Sequence, residues 1–149
     1  MPSSTSPQTP NWLSLDQQLC FALYSASLAM TKQYKPLLEP LGLTYPQYLV
    51  MLVLWEGTPI SVKDLGARLG LDSGTLTPLL KRLEGAGLIH RSRDSEDERR
   101  VLIQLRPDGL ALRDRAVGIP QTVACKFGLE MDEISALRNA LNRIKSRLD

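Results

Sequence analysis

The segment from Ile60 to Leu105 constrains the fold most, because two short helical patterns follow each other with only a tight turn between them. In the first pattern Val62, Leu65 and Leu69 recur at helical spacing, and Gly70 follows where a helix-ending glycine is expected. Since neither helix can bury its apolar face alone, the two must pack on each other. The segment therefore predicts a helix-turn-helix.

The second pattern predicts a helix that Asp72 or Ser73 can cap. Its inner face is a leucine stripe formed by Leu76, Leu79, Leu80 and Leu83. Pro78 argues against that start, because proline has no N–H to donate to the carbonyl of Gly74. A cap at Thr75 would put Pro78 in the first turn, where it costs little. The sequence leaves these alternatives open.

The outer face of this second helix is small, polar and basic, as in a helix that enters the major groove of DNA. Ser73, Thr77 and Lys81 follow each other at intervals of four, and Arg82 lies beside them. We expect the DNA contacts of the helix to come from Ser73, Thr75, Thr77, Pro78, Lys81 and Arg82.

A hairpin with a charged tip follows directly. Leu88–Arg93 and Arg100–Leu105 are short runs with β-forming residues, separated by the polar stretch Asp94–Glu98. A tip that only grips phosphate should not carry several acids. We therefore expect Asp97 to brace Arg99 so that its guanidinium points into a minor groove, the alternative being a solvated hairpin of mixed charge. The hairpin residues assigned to DNA are Arg93, Asp97 and Arg99.

The run LDSGTLTPLLKRLEGAGLI followed by SEDERRVLI resembles the winged helix-turn-helix of the MarR family of bacterial regulators, and within it the OhrR branch of organic-hydroperoxide-sensing repressors. The resemblance covers nearly the whole chain from about Leu15. It implies a mainly α fold in which a winged helix-turn-helix (60–105) lies between dimerisation helices (13–35 and 107–149) of a single domain, 13–149. It also implies a homodimer bound to double-stranded DNA at a pseudo-palindromic operator.

Patterns at both ends of the chain favour such pairing. Leu15 to Tyr34 predicts one helix that is apolar over most of its circumference and so must be buried on more than one side. Near the other end, Met131–Leu148 carries a heptad-like seam of Met131, Ile134, Leu137, Leu141, Ile144 and Leu148. The C-terminal helix by itself is equally compatible with packing inside one chain, and the resemblance favours a dimer interface.

The bulk properties set limits. With 149 residues the chain is one domain by length, and a net charge of +2 is too small to announce nucleic acid, so any affinity for DNA depends on where charge is placed. The start of the chain, PSSTSPQTP, has no signal-peptide pattern and predicts a disordered lead over residues 1–12. No apolar run predicts a membrane span, so we expect a cytoplasmic protein whose two cysteines are thiols.

Most catalytic and metal chemistry lacks a pattern here. His90 is the only histidine, and together with Cys20 and Cys125 it has no finger-like spacing. No glycine-rich phosphate loop is present, so we expect no metal, no cofactor and no enzyme. The cysteines remain as the candidates for chemistry.

Cys20 lies in the first predicted helix, where a cysteine can be just a small buried hydrophobe. Tyr24 is one turn away on the same face. Tyr34 shares that face but lies about 21 Å further along a straight helix, so only a second chain packed antiparallel brings it to Cys20. Tyr45, at the start of a later helix, can reach the same place.

The resemblance implies roles for these residues. The peroxide-sensing cysteine of the OhrR branch falls on Cys20 and its hydroxyl donors on Tyr34 and Tyr45, with Tyr24 as an auxiliary. Organic hydroperoxide is then the oxidant, and Cys125 of the partner chain traps the sulfenic acid as a disulfide. Two alternatives stay open: a MarR-type regulator that is released by a small ligand and has structural cysteines, and a thiol peroxidase.

Overall fold

The computed structural model describes residues 11–149. In chain order its elements are α1 (Leu19–Lys32), α2 (Lys35–Leu38), α3 (Tyr45–Glu56), β1 (Ile60–Ser61), α4 (Val62–Leu69), α5 (Ser73–Gly85), β2 (Ile89–Arg93), β3 (Val101–Leu105), α6 (Pro107–Ala116), α7 (Ile119–Ala124) and α8 (Met131–Leu148). Short 3-10 turns occupy Leu15–Gln17, Glu39–Leu41 and Cys125–Phe127. The predicted disordered lead lies outside the described residues, except for Asn11 and Trp12.

Helix α3 lies in the middle of the core. Thr44 caps it, because the Thr44 hydroxyl accepts from the Gln47 amide at 3.4 Å and the Gln47 side chain accepts from the Thr44 amide at 2.9 Å. The side chains that α3 buries are Gln47, Tyr48, Val50, Met51, Val53 and Leu54. They meet Leu65 of α4, Leu76 and Leu80 of α5, and Ile103 of the sheet. The helix-turn-helix and the hairpin are thus anchored to one central helix.

The sheet has three strands in the order β1-β3-β2, all antiparallel. Ile60 of β1 lies opposite Ile103, which also pairs with Arg91 of β2. The sequence predicted only the two-stranded hairpin, and β1 was missed. A strand of two residues is too short to show the alternation on which that prediction depended.

Helix α5 begins at Ser73, and the Asp72 carboxylate caps it by accepting from the Thr75 amide at 2.7 Å. The alternative cap at Thr75 is therefore wrong, and Pro78 lies inside the helix. Two features offset the missing N–H. Leu76 and Leu80 are buried, and Gly74 is exposed, so water can take the place of the lost donor at its carbonyl.

The terminal helices carry their apolar side chains on the outside of the chain. Helix α1 begins only at Leu19, after a 3-10 turn, and not at Leu15 as predicted. It contains no buried residue, and neither does α8, whose predicted bounds are confirmed. An apolar groove of about 540 Å³ runs between them, lined by Met30, Phe127 and Leu137 among others. The expected burial of α1 on more than one side is thus not achieved within one chain.

The segment after the wing also differs in detail from its prediction. The sequence predicts a helix from Leu110 to about Val123 that is interrupted near Gly118 and Pro120. The interruption is confirmed, because α6 ends at Ala116 and α7 begins at Ile119, but α6 starts three residues earlier than predicted, at Pro107. Among residues 11–149 no single helix is long and apolar enough to cross a membrane; only the bent pair Leu19–Leu41 and Tyr45–Glu56 reaches that length, taken together.

Candidate DNA interface and thiol site

A close approach between α4 and α5 sets the geometry of the helix-turn-helix. Gly66 of α4 is buried, and a Cβ there would lie 2.6 Å from the Leu71 carbonyl oxygen and 3.2 Å from the Leu76 side chain. Gly70 ends α4 in the left-handed conformation, with φ 67°. Only a residue without a side chain at Gly66 lets the turn fold back this tightly, and the turn aims the start of α5 away from the core.

The predicted DNA-contacting residues of α5 lie on its outer side. All are exposed except Thr77, which is half-buried: Ser73, Thr75, Thr77, Pro78, Lys81 and Arg82. The Thr77 hydroxyl donates to the Ser73 carbonyl at 2.7 Å, which fixes its rotamer. Ser73 and Thr77 line an open groove of about 620 Å³ together with Arg99 of the wing. Helix and wing therefore contribute to one continuous surface.

At the tip of the wing, Asp97 and Arg99 have the predicted relation. The Asp97 carboxylate accepts from the Arg99 amide at 3.1 Å and lies 3.9 Å from its Nε. The Arg99 side chain is 98% exposed, so its guanidinium is free to enter a groove. Arg93 is more committed, because its Nη1 donates to the Glu98 carbonyl at 2.8 Å and closes the hairpin. Contact of these side chains with DNA stays a prediction.

Two acids that sequence reasoning missed hold the base of the wing. Glu84 of α5 accepts from the Arg91 amide at 2.8 Å and from the Arg91 guanidinium at 3.1 and 3.3 Å. Asp64 of α4 lies 3.6 Å from Arg100. The hydrogen bond from the Arg91 backbone, followed by that from its side chain, lowers the pKa of Glu84. No periodic signal relates residues seven or more positions apart on different elements, so these pairs could not be predicted from the sequence.

Three tyrosine rings pack against one another in a group that we call the tyrosine cluster. Tyr34 lies 4.8 Å from Tyr45 and 5.6 Å from Tyr48, measured between ring centroids, and Tyr45 lies 6.2 Å from Tyr48. Tyr34 and Tyr45 were predicted to act together, and the fold does bring them together. Tyr48, which follows Tyr45 by three residues and so shares its helix face, was not among the predicted site residues.

Burial keeps these hydroxyls protonated. It raises the pKa of Tyr34, with a further contribution from Tyr45, and it raises the pKa of Tyr45. Burial, reinforced by both neighbours, raises the pKa of Tyr48 to about 12. Near neutral pH all three are therefore hydrogen-bond donors, which is the form that stabilises an anion.

Neither cysteine is buried in the chain. Cys20 lies exposed in the first turn of α1, with Tyr24, itself 64% exposed, one turn away. Cys125 is exposed at the start of the 3-10 turn that follows α7. Within one chain the interpretation of either residue as a buried hydrophobe is therefore wrong.

The two thiols lie at opposite ends of α1. Cys20 is near its start, about 21 Å from Tyr34 along the helix axis. Lys126, next to Cys125, donates to the Gln33 side chain at 3.4 Å and so ties the Cys125 segment to the far end of α1, beside Tyr34. The Cys125 segment is thus connected to the end of α1 that lies farthest from Cys20.

A helix-turn-helix followed by an arginine-tipped wing defines the class of winged helix-turn-helix DNA-binding regulators. A family model described as "MarR family" matches residues 43–101 of this chain. The organic hydroperoxide resistance transcriptional regulator of Bacillus subtilis (strain 168) is 53% identical over 129 residues, 87% of this chain and 88% of the relative. The chain therefore belongs to the MarR family of transcriptional regulators, which confirms the family and fold class predicted from the sequence.

Solved structures give the same result. The chain is similar to reduced AbfR bound to DNA, with a TM-score of 0.76 and 36% identity over 90% of this chain and 94% of the other. AbfR comes from Staphylococcus epidermidis. Its disulfide-formed structure is also similar, with a TM-score of 0.65 and 34% identity over 87% of this chain and 91% of the other.

Proposed function

We propose that this chain is a homodimeric repressor that releases its operator DNA when an organic hydroperoxide oxidises Cys20. Cys125 of the partner chain then traps the oxidised sulfur as a disulfide. The similarity to a hydroperoxide resistance regulator and to an AbfR with a disulfide form supports the proposal. Release by a small ligand, with both cysteines inert, is the competing function.

One observation carries the proposal: exposed thiols lie at the two ends of an α1 whose apolar side chains find no cover within the chain. Exposed Leu19, Phe21 and Leu28 on α1, with Leu137 and Ile144 on α8, call for a second protein surface. A second copy that lies antiparallel along α1 covers this surface. The same arrangement brings the partner's Cys20 to the end of α1 that Tyr34 follows and to which Lys126, next to Cys125, is bonded through Gln33.

The first chemical step is attack of the Cys20 thiolate on an oxygen of the hydroperoxide. A sulfur–oxygen bond forms, the oxygen–oxygen bond breaks, and the alkoxide leaves as an alcohol after taking a proton. Sulfur is oxidised to sulfenic acid and the peroxide is reduced. Hydroxyls of Tyr34 and Tyr45 from the partner chain favour the reaction because they donate to the thiolate and stabilise it against the thiol.

The second step joins two chains. The thiolate of Cys125 attacks the sulfenic sulfur of Cys20, forms a sulfur–sulfur bond and expels hydroxide, which leaves as water after protonation. A disulfide needs Cα atoms within about 7 Å of each other, so the helices that carry the cysteines must move together. Helix α5 of each chain, which we call the recognition helix, is anchored to the dimer core. This movement therefore changes the separation of the two recognition helices, and they no longer fit successive major grooves.

Treatment of the purified protein with an organic hydroperoxide tests the proposal. We expect a dimer on a denaturing gel that a reductant dissolves, together with loss of binding to a duplex that the wild-type protein has selected from a random library. Cys20→Ser should stay on DNA under oxidant. Cys125→Ser should still react but stop at sulfenic acid or proceed to higher oxides.

A second pair of variants tests the donors. Tyr34→Phe and Tyr45→Phe should slow the oxidation of Cys20 without weakening DNA binding in reducing buffer, because only the hydroxyls are lost. If oxidant releases Cys20→Ser from DNA as readily as the wild type, the cysteine does not sense peroxide and release by a small ligand becomes the better explanation.

A further inference from the structure

The arginines of the wing have different surroundings, although the sequence presents them as one basic group. Arg99 is 98% exposed, whereas the Arg91 side chain is 26% exposed and makes two hydrogen bonds to Glu84. Arg100 is 51% exposed and lies between Asp64 of α4 at 3.6 Å and Asp94 at 3.9 Å. Of these three arginines, Arg99 is the one whose side chain projects freely towards a ligand.

The pairs of Arg91 and Arg100 connect the wing to the two helices of the helix-turn-helix. Glu84 reaches from α5 to the middle of β2, where it binds both the backbone and the side chain of Arg91. Asp64 reaches from the first turn of α4 to the start of β3 through Arg100. The wing is thus held at its base from two sides, by one acid on each helix.

We propose that Glu84 and Asp64 are positioning residues for DNA reading: they hold the wing at the height at which Arg99 meets a minor groove while α5 occupies the major groove. The inference rests on the DNA-binding part of the proposed function and is independent of its thiol chemistry. Arg91 and Arg100 then connect the wing to these two acids, and the acids largely neutralise the charge of both arginines in the DNA-free protein.

This arrangement predicts an unusual direction for the effect of a mutation on DNA affinity. Removing an acid from a DNA-facing surface ordinarily strengthens binding, because it lowers the repulsion of phosphates. If Glu84 positions the wing, its removal should weaken binding in spite of the gain in positive charge. Charge and positioning therefore predict opposite directions for the same variant.

The test uses the full-length protein in reducing buffer and a duplex selected by the wild type from a random-sequence library. We expect Glu84→Gln and Asp64→Asn each to weaken binding, Glu84→Gln about fivefold or more. Glu96→Gln, at the wing tip, is the matched control. It removes the same charge but its side chain braces no helix, so binding should be unchanged or stronger. Arg99→Ala should lose about tenfold or more.

A second readout separates positioning from general destabilisation. Repeating the selection with Glu84→Gln should flatten the base preference at the positions under the wing and leave the preference under α5 intact. In the double variant Glu84→Gln with Arg99→Ala, the loss of DNA affinity should be close to that of Arg99→Ala alone. Glu84 acts by positioning Arg99, so its removal has little further effect once the Arg99 side chain is gone.

The opposite results overturn the inference. Binding by Glu84→Gln and Asp64→Asn that equals or exceeds that of the wild type would show that these acids act only through their charge. An unchanged base preference under the wing in both variants would do the same. Because Asp64 and Arg100 are more than half exposed, Asp64→Asn should fold normally even if Glu84→Gln does not.

Discussion

At the scale of single residues, the tyrosine cluster shows how packing prepares a hydrogen-bond donor. Tyr48 is 2% exposed, and its ring lies against those of Tyr34 and Tyr45. Burial disfavours a charged phenolate, so the hydroxyl keeps its proton far above the usual range. The proposed donation from these hydroxyls to a thiolate and the stability of the fold therefore depend on the same property, the burial of the phenol groups.

The alkaline stability of the protein should depend on this cluster. The pKa of Tyr48 is raised to about 12 from its ordinary value of 10.0, so between these pH values the folded chain keeps a proton that the unfolded chain releases. The contribution of Tyr48 is therefore complete below about pH 10 and is lost as the pH rises towards 12. Denaturant unfolding across this range should show a falling free energy of unfolding.

The matched variants sharpen this test. Tyr48→Phe should flatten the alkaline decline, because the titrating hydroxyl is gone while most of the ring packing stays. Tyr24→Phe removes a hydroxyl from an exposed residue outside the cluster and should keep the wild-type slope. A decline that is identical in all three proteins would contradict the role given to Tyr48.

At the scale of elements, the contact between α4 and α5 determines where the recognition helix points. Gly66→Ala should destabilise the fold by about 1–3 kcal/mol, because the new methyl group meets the Leu71 backbone carbonyl, which cannot rotate away. Binding to the selected duplex should fall as well, since the turn must open. Thermal or urea unfolding measures the first effect and a DNA titration the second.

Gly85→Ala is the matched control within the recognition helix. A Cβ at Gly85 meets no atom within 4 Å, and the residue lies in the last turn of α5. The substitution should therefore stabilise the protein, by about 0.5–1 kcal/mol, because alanine loses less backbone entropy than glycine. Equal effects of the two alanines would mean that the close approach at Gly66 has no influence on stability.

At the scale of the whole molecule, the exposed apolar sides of α1 and α8 are the feature that one chain leaves unresolved. Ile144 is 42% exposed and Leu137 48%, whereas the core around α3 is fully buried. A monomer rarely exposes so continuous an apolar surface. The proposed dimer covers it and sets two recognition helices about 34–36 Å apart, or a multiple of that distance, on a pseudo-palindrome.

Ile144→Glu should dissociate this dimer without unfolding the chain, because Ile144 makes no buried core contact. Sedimentation should then find a monomer, and binding to the selected duplex should be lost with the second half-site. Asn139→Glu places the same side chain on the other side of α8 and should stay dimeric. A wild-type protein that sediments as a monomer yet binds DNA tightly would contradict the arrangement.

The helices with a clear residue pattern could be predicted from the sequence alone. Leucine spacing and the left-handed glycine at Gly70 were enough to place α4, and the heptad-like seam gave α8 with its bounds. Such features arise from hydrogen bonds and packing between neighbours in the chain, so a linear pattern is sufficient to predict them.

Contacts between residues far apart in the sequence became known from the tertiary structure and not from residue patterns. Pro78 inside α5 contradicted its local preference, because a good cap and two buried leucines outweigh one missing hydrogen bond. Tyr48 joined Tyr34, and Glu84 met Arg91, through the way the helices and strands pack around α3. These contacts depend on the crossing of elements that are far apart in sequence or unrelated in period, and no spacing rule encodes that crossing.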